Sequence, residues 1–245
     1  MRLLRNSGMG MTIETAIDKL IVRHESLCQK GASRYNNETE EIINSLLAYY
    51  HEHESQPAEP EKQTFPFLPR AISYFDNPIA NLKPYSTVTL STIYKYICNG
   101  ALRPQVAALR NIIDKKEARK YKAKNFPYVT FAGWFSQRDS KYLIELTGYT
   151  CIDFDHVPDV PELLVRLLKD EYFITLLAFR SPSGDGLKWV IPIDLEKADY
   201  ATWFKAISIY IEKTYSVKPD QSGSDIARAC FLTYDPEAYI NPCLL

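Results

Sequence analysis

The order of hydrophobic periods between Tyr149 and Tyr234 leaves few folds open to this chain. Residues 149–155 (Tyr-Thr-Cys-Ile-Asp-Phe-Asp) are a short, β-prone apolar run. Residues 161–169 have helical spacing, with Leu163, Leu164, Leu167 and Leu168 on one face. Residues 172–179 and 187–193 read as strands. Residues 198–215 read as a helix that gathers Trp203, Ile207, Tyr210 and Ile211 on one side, and residues 228–234 read as a last strand.

The predicted order is β-α-β-β-α-β, the split βαβ of ferredoxin-like and RNA-recognition-motif-like (RRM-like) folds. The fold class is therefore α+β, an RRM-like/ferredoxin-like βαββαβ core. In such a sheet the first strand is central, with the third and fourth strands beside it and antiparallel to it. The end of strand one then lies next to the starts of strands three and four.

Three polar landmarks fall at that edge. The first is Asp153-Phe154-Asp155. Alternate residues of a strand share a face, about 6.5–7 Å apart, so the two carboxylates form a half-shell for Mg²⁺ or Mn²⁺, which take hard oxygen ligands. The second is Ser181-Pro182-Ser183-Gly184-Asp185-Gly186-Leu187-Lys188. Its small residues permit a tight turn whose N–H groups can hold phosphate, with Lys188 as a point charge. The third, Asp220-Gln221-Ser222-Gly223-Ser224-Asp225, is followed by Arg228. Phosphate, metal and carboxylates together point to nucleotide chemistry. Each landmark also has a plainer reading: a helix cap, a hairpin connection, and a local ion pair between Asp225 and Arg228.

The rest of the chain organises around this half. Helices are predicted at residues 13–30 and 37–50, followed by His51 and His53, which do not share a helix face. Residues 55–69 carry four prolines and read as a linker. Residues 1–66 are thus a helical extension with linker, and 67–245 the main domain. Residues 70–74 read as a strand. Ser86 or Thr87 is a candidate cap for a helix ending before Gly100. Residues 103–125 are the most basic stretch, with Lys122 among eight cations, and suit a phosphate backbone or a solvated helix face. Residues 128–135 read as one strand, followed by a polar turn containing Arg138.

With a formal charge of −1, the chain does not coat nucleic acid by net charge. Cys28, Cys98, Cys151, Cys230 and Cys243 form no CxxC pair, so reduced thiols and a cytoplasmic location are expected. Neither a signal peptide nor a membrane span is predicted.

The Asp153-Phe154-Asp155 pair, the run from Ser183 to Lys188 and an aspartate before the last strand resemble the three motifs of the archaeo-eukaryotic primase superfamily, the primase-polymerases. The wording from Ser181 to Lys188, then Asp225-x-x-Arg228-x-x-Phe231-Leu232-x-Tyr234, is similar to a bacterial mobile-element branch labelled VirE N-terminal-like. The resemblance covers residues 67–242. It implies a nucleotidyltransferase that adds nucleotides on a single-stranded DNA template, in replication of a mobile element, with a helicase in trans. Asp153, Asp155 and Asp220 would be the catalytic carboxylates binding two Mg²⁺ or Mn²⁺ ions, with Asp225 second to Asp220 as third ligand. Ser181, Ser183, Gly184, Gly186, Lys188 and Arg228 would hold the nucleoside triphosphate. One departure stands out: the superfamily histidine is Lys188 here, and lysine does not ordinarily move a proton near neutral pH. The alternatives are a catalytically inactive DNA-binding module and a metal-dependent nuclease.

Overall fold

The computed structural model describes residues 70–245. The helices expected at 13–30 and 37–50, His51 and His53, and the linker at 55–69 lie outside the described residues. The described part is mixed α/β, built from small antiparallel sheets and five α-helices.

One four-stranded sheet has the order β2-β1-β3-β9, from β1 (Ile72–Phe75), β2 (Ser86–Val88), β3 (Tyr128–Thr130) and β9 (Cys230–Phe231). A second has the order β10-β7-β8-β6, from β6 (Tyr149–Phe154), β7 (Leu177–Arg180), β8 (Leu187–Pro192) and β10 (Tyr239–Ile240). A separate hairpin pairs β4 (Gly133–Phe135) with β5 (Leu143–Leu146). The helices are α1 (Leu90–Cys98), α2 (Arg103–Arg110), α3 (Lys115–Asn125), α4 (Val160–Leu168) and α5 (Tyr200–Tyr215).

The second sheet is buried on both faces, which is why β8 is almost continuously apolar. Tyr149, Leu177, Phe179 and Val190 face a core shared with α1, α2, β1 and β3. Ile152, Phe154, Ala178, Trp189 and Ile191 face a second core closed by Leu163 and Leu167 of α4 and Phe204, Ile207 and Ile211 of α5. Each fully buried Val, Leu, Ile or Phe side chain among these contributes about 1.5–3 kcal/mol. Trp189 keeps its one polar group satisfied, as its Nε1–H donates to Thr175 Oγ1 at 2.7 Å.

Four of the five described α-helices start on side-chain caps, and α2, which has none, carries Pro104 in its first turn. Asp159 accepts from the Glu162 N–H ahead of α4, and Asp199 accepts from the Thr202 N–H ahead of α5. Among the described residues, no helix is long and apolar enough to cross a membrane.

Several expectations need correction. The fourth strand of the split βαβ does not join β6. β9 is two residues long and pairs with β3, through Tyr128↔Phe231 and Val129↔Cys230. The segment before it folds into turns that use its own donors: Gly223 N–H to Asp220 O, Asp225 N–H to Ser222 O and Arg228 N–H to Asp225 O. β6 is therefore an edge strand of its ladder rather than central. The pairing of β6 with β8, and of β8 with β7, is antiparallel as expected.

The strand expected at 172–179 starts only at Leu177, because the Asp170 carboxylate draws the N–H groups of Tyr172 and Phe173 into a turn. Residues 128–135 are two strands in different sheets, broken at Phe131–Ala132. Gly133 there sits so close to Leu143 that a Cβ would lie 2.7 Å from its side chain. Ser86 and Thr87 are in β2, and the cap of α1 is Thr89, which accepts from the Thr92 N–H. β5 was not anticipated.

Candidate functional site

The alternation of β6 sends Ile152 and Phe154 into the core below α4 and α5, and Asp153 to the opposite face. There it stands across from Lys188 of β8. The Lys188 ammonium donates to Asp153 Oδ2, and both side chains are largely buried, at 10% and 18% exposure. Asp153 Oδ1 is buried too, and has no hydrogen-bond partner among the described residues. A buried, unpartnered carboxylate oxygen is costly unless something electropositive meets it.

Asp155 follows the strand and is exposed. Asp220 comes from the far side of α5, which ends at Ser216 in a left-handed conformation (φ 56°). Its N–H donates to Asp153 O at 2.8 Å, tying the two segments together. Asp220 then opens a short 3₁₀ turn, Gln221–Ser224. Its carboxylate accepts from the Ser222 N–H (3.0 Å), Ser222 Oγ (2.5 Å) and Arg228 Nη2 (3.1 Å). Burial pushes the Asp220 carboxyl up. The hydrogen bonds from Ser222 and the charges of Arg228 and Lys188 outweigh it and hold the group below the ordinary carboxylate value.

One oxygen from each of Asp153, Asp155 and Asp220 lies within 4.8 Å of the others. An all-carboxylate set with an orphaned buried oxygen fits Mg²⁺ or Mn²⁺. Asp225 does not join this group. It lines the same cleft, but its Oδ1 is taken by the Ala227 N–H.

The turn after β7 forms the second wall. Ser181 N–H donates to Gly186 O, Gly184 N–H to Ser181 O, and Gly186 N–H to Ser181 Oγ. The Ser181 hydroxyl, expected to meet a nucleotide, is thus an internal brace of the turn. Gly184 has φ +92°. Two arginines grip the turn's carbonyls: Arg110 Nε donates to Pro182 O at 3.2 Å and Arg180 Nη1 to Gly184 O at 3.0 Å. In a trans peptide the next N–H points away from the carbonyl, so the Ser183 and Asp185 N–H groups turn from the arginines. Neither has a partner among the described residues.

The cleft has a volume of about 530 Å³. It is lined by the three carboxylates, Asp225, Ser181, Ser183, Lys188 and Arg228, so the three sequence landmarks do meet. Gly184 and Gly186 shape the turn and are not part of its lining. The expected Asp225–Arg228 ion pair is not made, because the Arg228 guanidinium goes to Asp220 instead. His156 sits outside the carboxylate group in a left-handed conformation (φ 54°), with its Nδ1 2.6 Å from Asp185 Oδ2.

Lys122 of α3 and Arg138 also line the cleft. Neither stood out from its basic or polar neighbours in sequence. In the folded chain each lies over an aromatic of the first sheet, Phe231 and Tyr128, a contact that no local sequence pattern announces. The other cations of the basic stretch divide. Lys115, Lys116, Arg119, Lys120 and Lys124 are exposed, while Arg110 holds the turn.

Residues 120–240 of the 245-residue chain match the family described as BT4734-like, N-terminal domain. The matched segment takes in Lys122, Arg138, the carboxylates, the turn and Arg228. Comparison with curated proteins and with solved structures finds no match.

Proposed function

We propose that this chain is a primase-polymerase-like nucleotidyltransferase that adds nucleotides on a single-stranded DNA template in the cytoplasm. In this reading it is related to the archaeo-eukaryotic primases through the bacterial mobile-element branch labelled VirE N-terminal-like. Its core is RRM-like, with the fourth strand displaced onto β3. A helicase acts in trans.

The observation that carries the reading is the convergence of Asp153, Asp155 and Asp220, with Asp153 Oδ1 buried and unpartnered, beside a turn that presents the Ser183 N–H. Asp153, Asp155 and Asp220 would hold divalent cations, which would supply Lewis-acid activation of a 3′-hydroxyl and charge neutralisation of pyrophosphate. Ser183 and its N–H would bind phosphate oxygens, and Arg110, by holding Pro182 O, keeps that amide turned away from itself. Arg228 holds Asp220 in place and adds positive charge. Lys188 orients Asp153 through their ion pair.

That same ion pair favours a second reading, a binding module without catalysis. The Lys188 ammonium already occupies Asp153 Oδ2, where a metal ligand is needed.

The deciding experiment is nucleotide incorporation on single-stranded DNA with Mg²⁺ or Mn²⁺, comparing the intact protein with Asp153→Ala/Asp155→Ala. Extension by the intact protein and loss in the double variant, by about 10³-fold or more, is the expected result. Nucleotide binding without extension selects the binding module. Template degradation that disappears in the double variant moves the assignment to a nuclease.

A further inference from the structure

Four cationic side chains line the cleft: Lys122, Arg138, Lys188 and Arg228. Lys188 and Arg228 are committed to carboxylates of the triad, Asp153 and Asp220. Lys122 and Arg138 have no carboxylate at ion-pair distance among the described residues.

Both are nonetheless held in place. Arg138 lies over the Tyr128 ring, 5.1 Å from its centroid, and its N–H donates to Leu82 O at 2.8 Å. Tyr128 is itself stacked on Phe75, at 4.6 Å, and its hydroxyl donates to Asn81 O. The Arg138 Nε is buried with no hydrogen-bond partner among the described residues. Lys122 projects from α3 over the Phe231 ring, 5.6 Å from its centroid. Burial, and next the charge of Lys188, lower its pKa below the ordinary lysine value, against the pull of Asp155 and Asp185. The charges are therefore held at a cost, which an anion in the cleft would relieve.

We propose that Lys122 and Arg138 form a phosphate-binding subsite facing the carboxylate triad, and that its ligand is the polyphosphate tail of a nucleoside triphosphate. The assignment rests on the nucleotidyltransferase reading for its ligand, and moves the main phosphate contacts from Lys188 to these two residues. The geometry suits a tail more than a base: the guanidinium supplies a planar fork of donors and the ammonium a point charge. Ser183 lines the same cleft. A phosphate of a nucleic-acid backbone offers the same oxyanion chemistry and is the source the test must separate.

The test is equilibrium binding at constant Mg²⁺ with three probes: tripolyphosphate, a nucleoside triphosphate, and a single-stranded oligonucleotide with a 5′-hydroxyl. The variants are Lys122→Met and Arg138→Lys, which keep a long apolar stem and remove the ammonium or the guanidinium fork. Lys115→Met, on the exposed part of α3, is the charge control. Each cleft variant is expected to weaken tripolyphosphate and triphosphate binding by about tenfold, a single charge-assisted contact, with Lys115→Met and oligonucleotide binding unchanged. Loss confined to the oligonucleotide keeps the phosphate subsite and assigns it to the DNA backbone. Unchanged affinity for all probes, or an equal loss in Lys115→Met, overturns the proposal. Because binding is read rather than incorporation, the subsite can stand where catalysis is absent and fail where catalysis is present.

Discussion

Asp220 is where charge and folding are most directly linked. In the folded chain its carboxylate accepts two bonds from Ser222 and one from Arg228, and its pKa lies below that of an unfolded aspartate. Ionised Asp220 therefore contributes stability that is fully present above the unfolded value of about 3.9 and is lost as pH falls through the lowered folded value. Asp220→Asn removes that contribution. Urea unfolding should find the intact protein more stable than the variant at pH 7, with the gap narrowing below about pH 4. A gap that stays constant across this range would sink the linkage. The choice of Asp220 over Asp225 was only partly legible in the sequence. Both precede the last strand. What separates them is the 3₁₀ turn that aims Asp220 at Asp153 while the Ala227 N–H claims Asp225. Lys122 was not legible as an individual residue, because α3 buries no residue and has no apolar stripe to phase it. The aromatic face it rests on, Phe231, is supplied from far along the chain.

The elements that place the site were legible in proportion to how locally they are determined. β6, α4, β8 and α5 appear where hydrophobic period puts them, since each buries a regular stripe. The last strand was misassigned to β6 because its pairing is decided by a contest between turn and ladder. Asp220, Ser222 and Asp225 keep nearby N–H groups in turns, leaving two residues that meet β3. The 181–186 turn was legible from its glycines, and its packing makes a sharp demand. A Cβ on Gly186 would lie 2.5 Å from Phe154 O and 3.1 Å from Ser181 Oγ. Phe154 pairs with Leu187 in the β6–β8 ladder, so the oxygen cannot retreat without disturbing the strand that carries Asp153. Gly186→Ala should therefore destabilise the protein by about 1–3 kcal/mol through overpacking. Chemical denaturation measures this directly, and an unshifted midpoint would show that the turn can yield.

Folding of the described residues is what brings the three carboxylates together. Asp153 and Asp155 lie at the end of β6, whereas Asp220 arrives only after α4, β7, β8 and α5 have packed. In the unfolded chain Asp220 is far from the other two carboxylates, so a divalent cation that uses all three binds the folded state alone. Two of the three negative charges already have a cationic neighbour, Lys188 on Asp153 and Arg228 on Asp220. Asp155 makes no ion pair among the described residues, although the Lys122 charge acts on it, and Asp153 Oδ1 is left without a partner. The carboxylate oxygens open to a cation are thus gathered at one corner of the cleft. Mn²⁺ at a hundred times its dissociation constant should stabilise the folded state by about 2.7 kcal/mol. For a chain of this size that is a rise of roughly 5–10 °C in the thermal midpoint. Asp155→Asn is the informative comparison, because the residue is exposed and its replacement leaves the core untouched. The variant should fold with a near-normal midpoint in chelator and lose most of the Mn²⁺-induced rise. An equal rise in both proteins would mean that Mn²⁺ binds elsewhere, and no rise in either would leave the three carboxylates as a polar corner balanced by Lys188 and Arg228 alone.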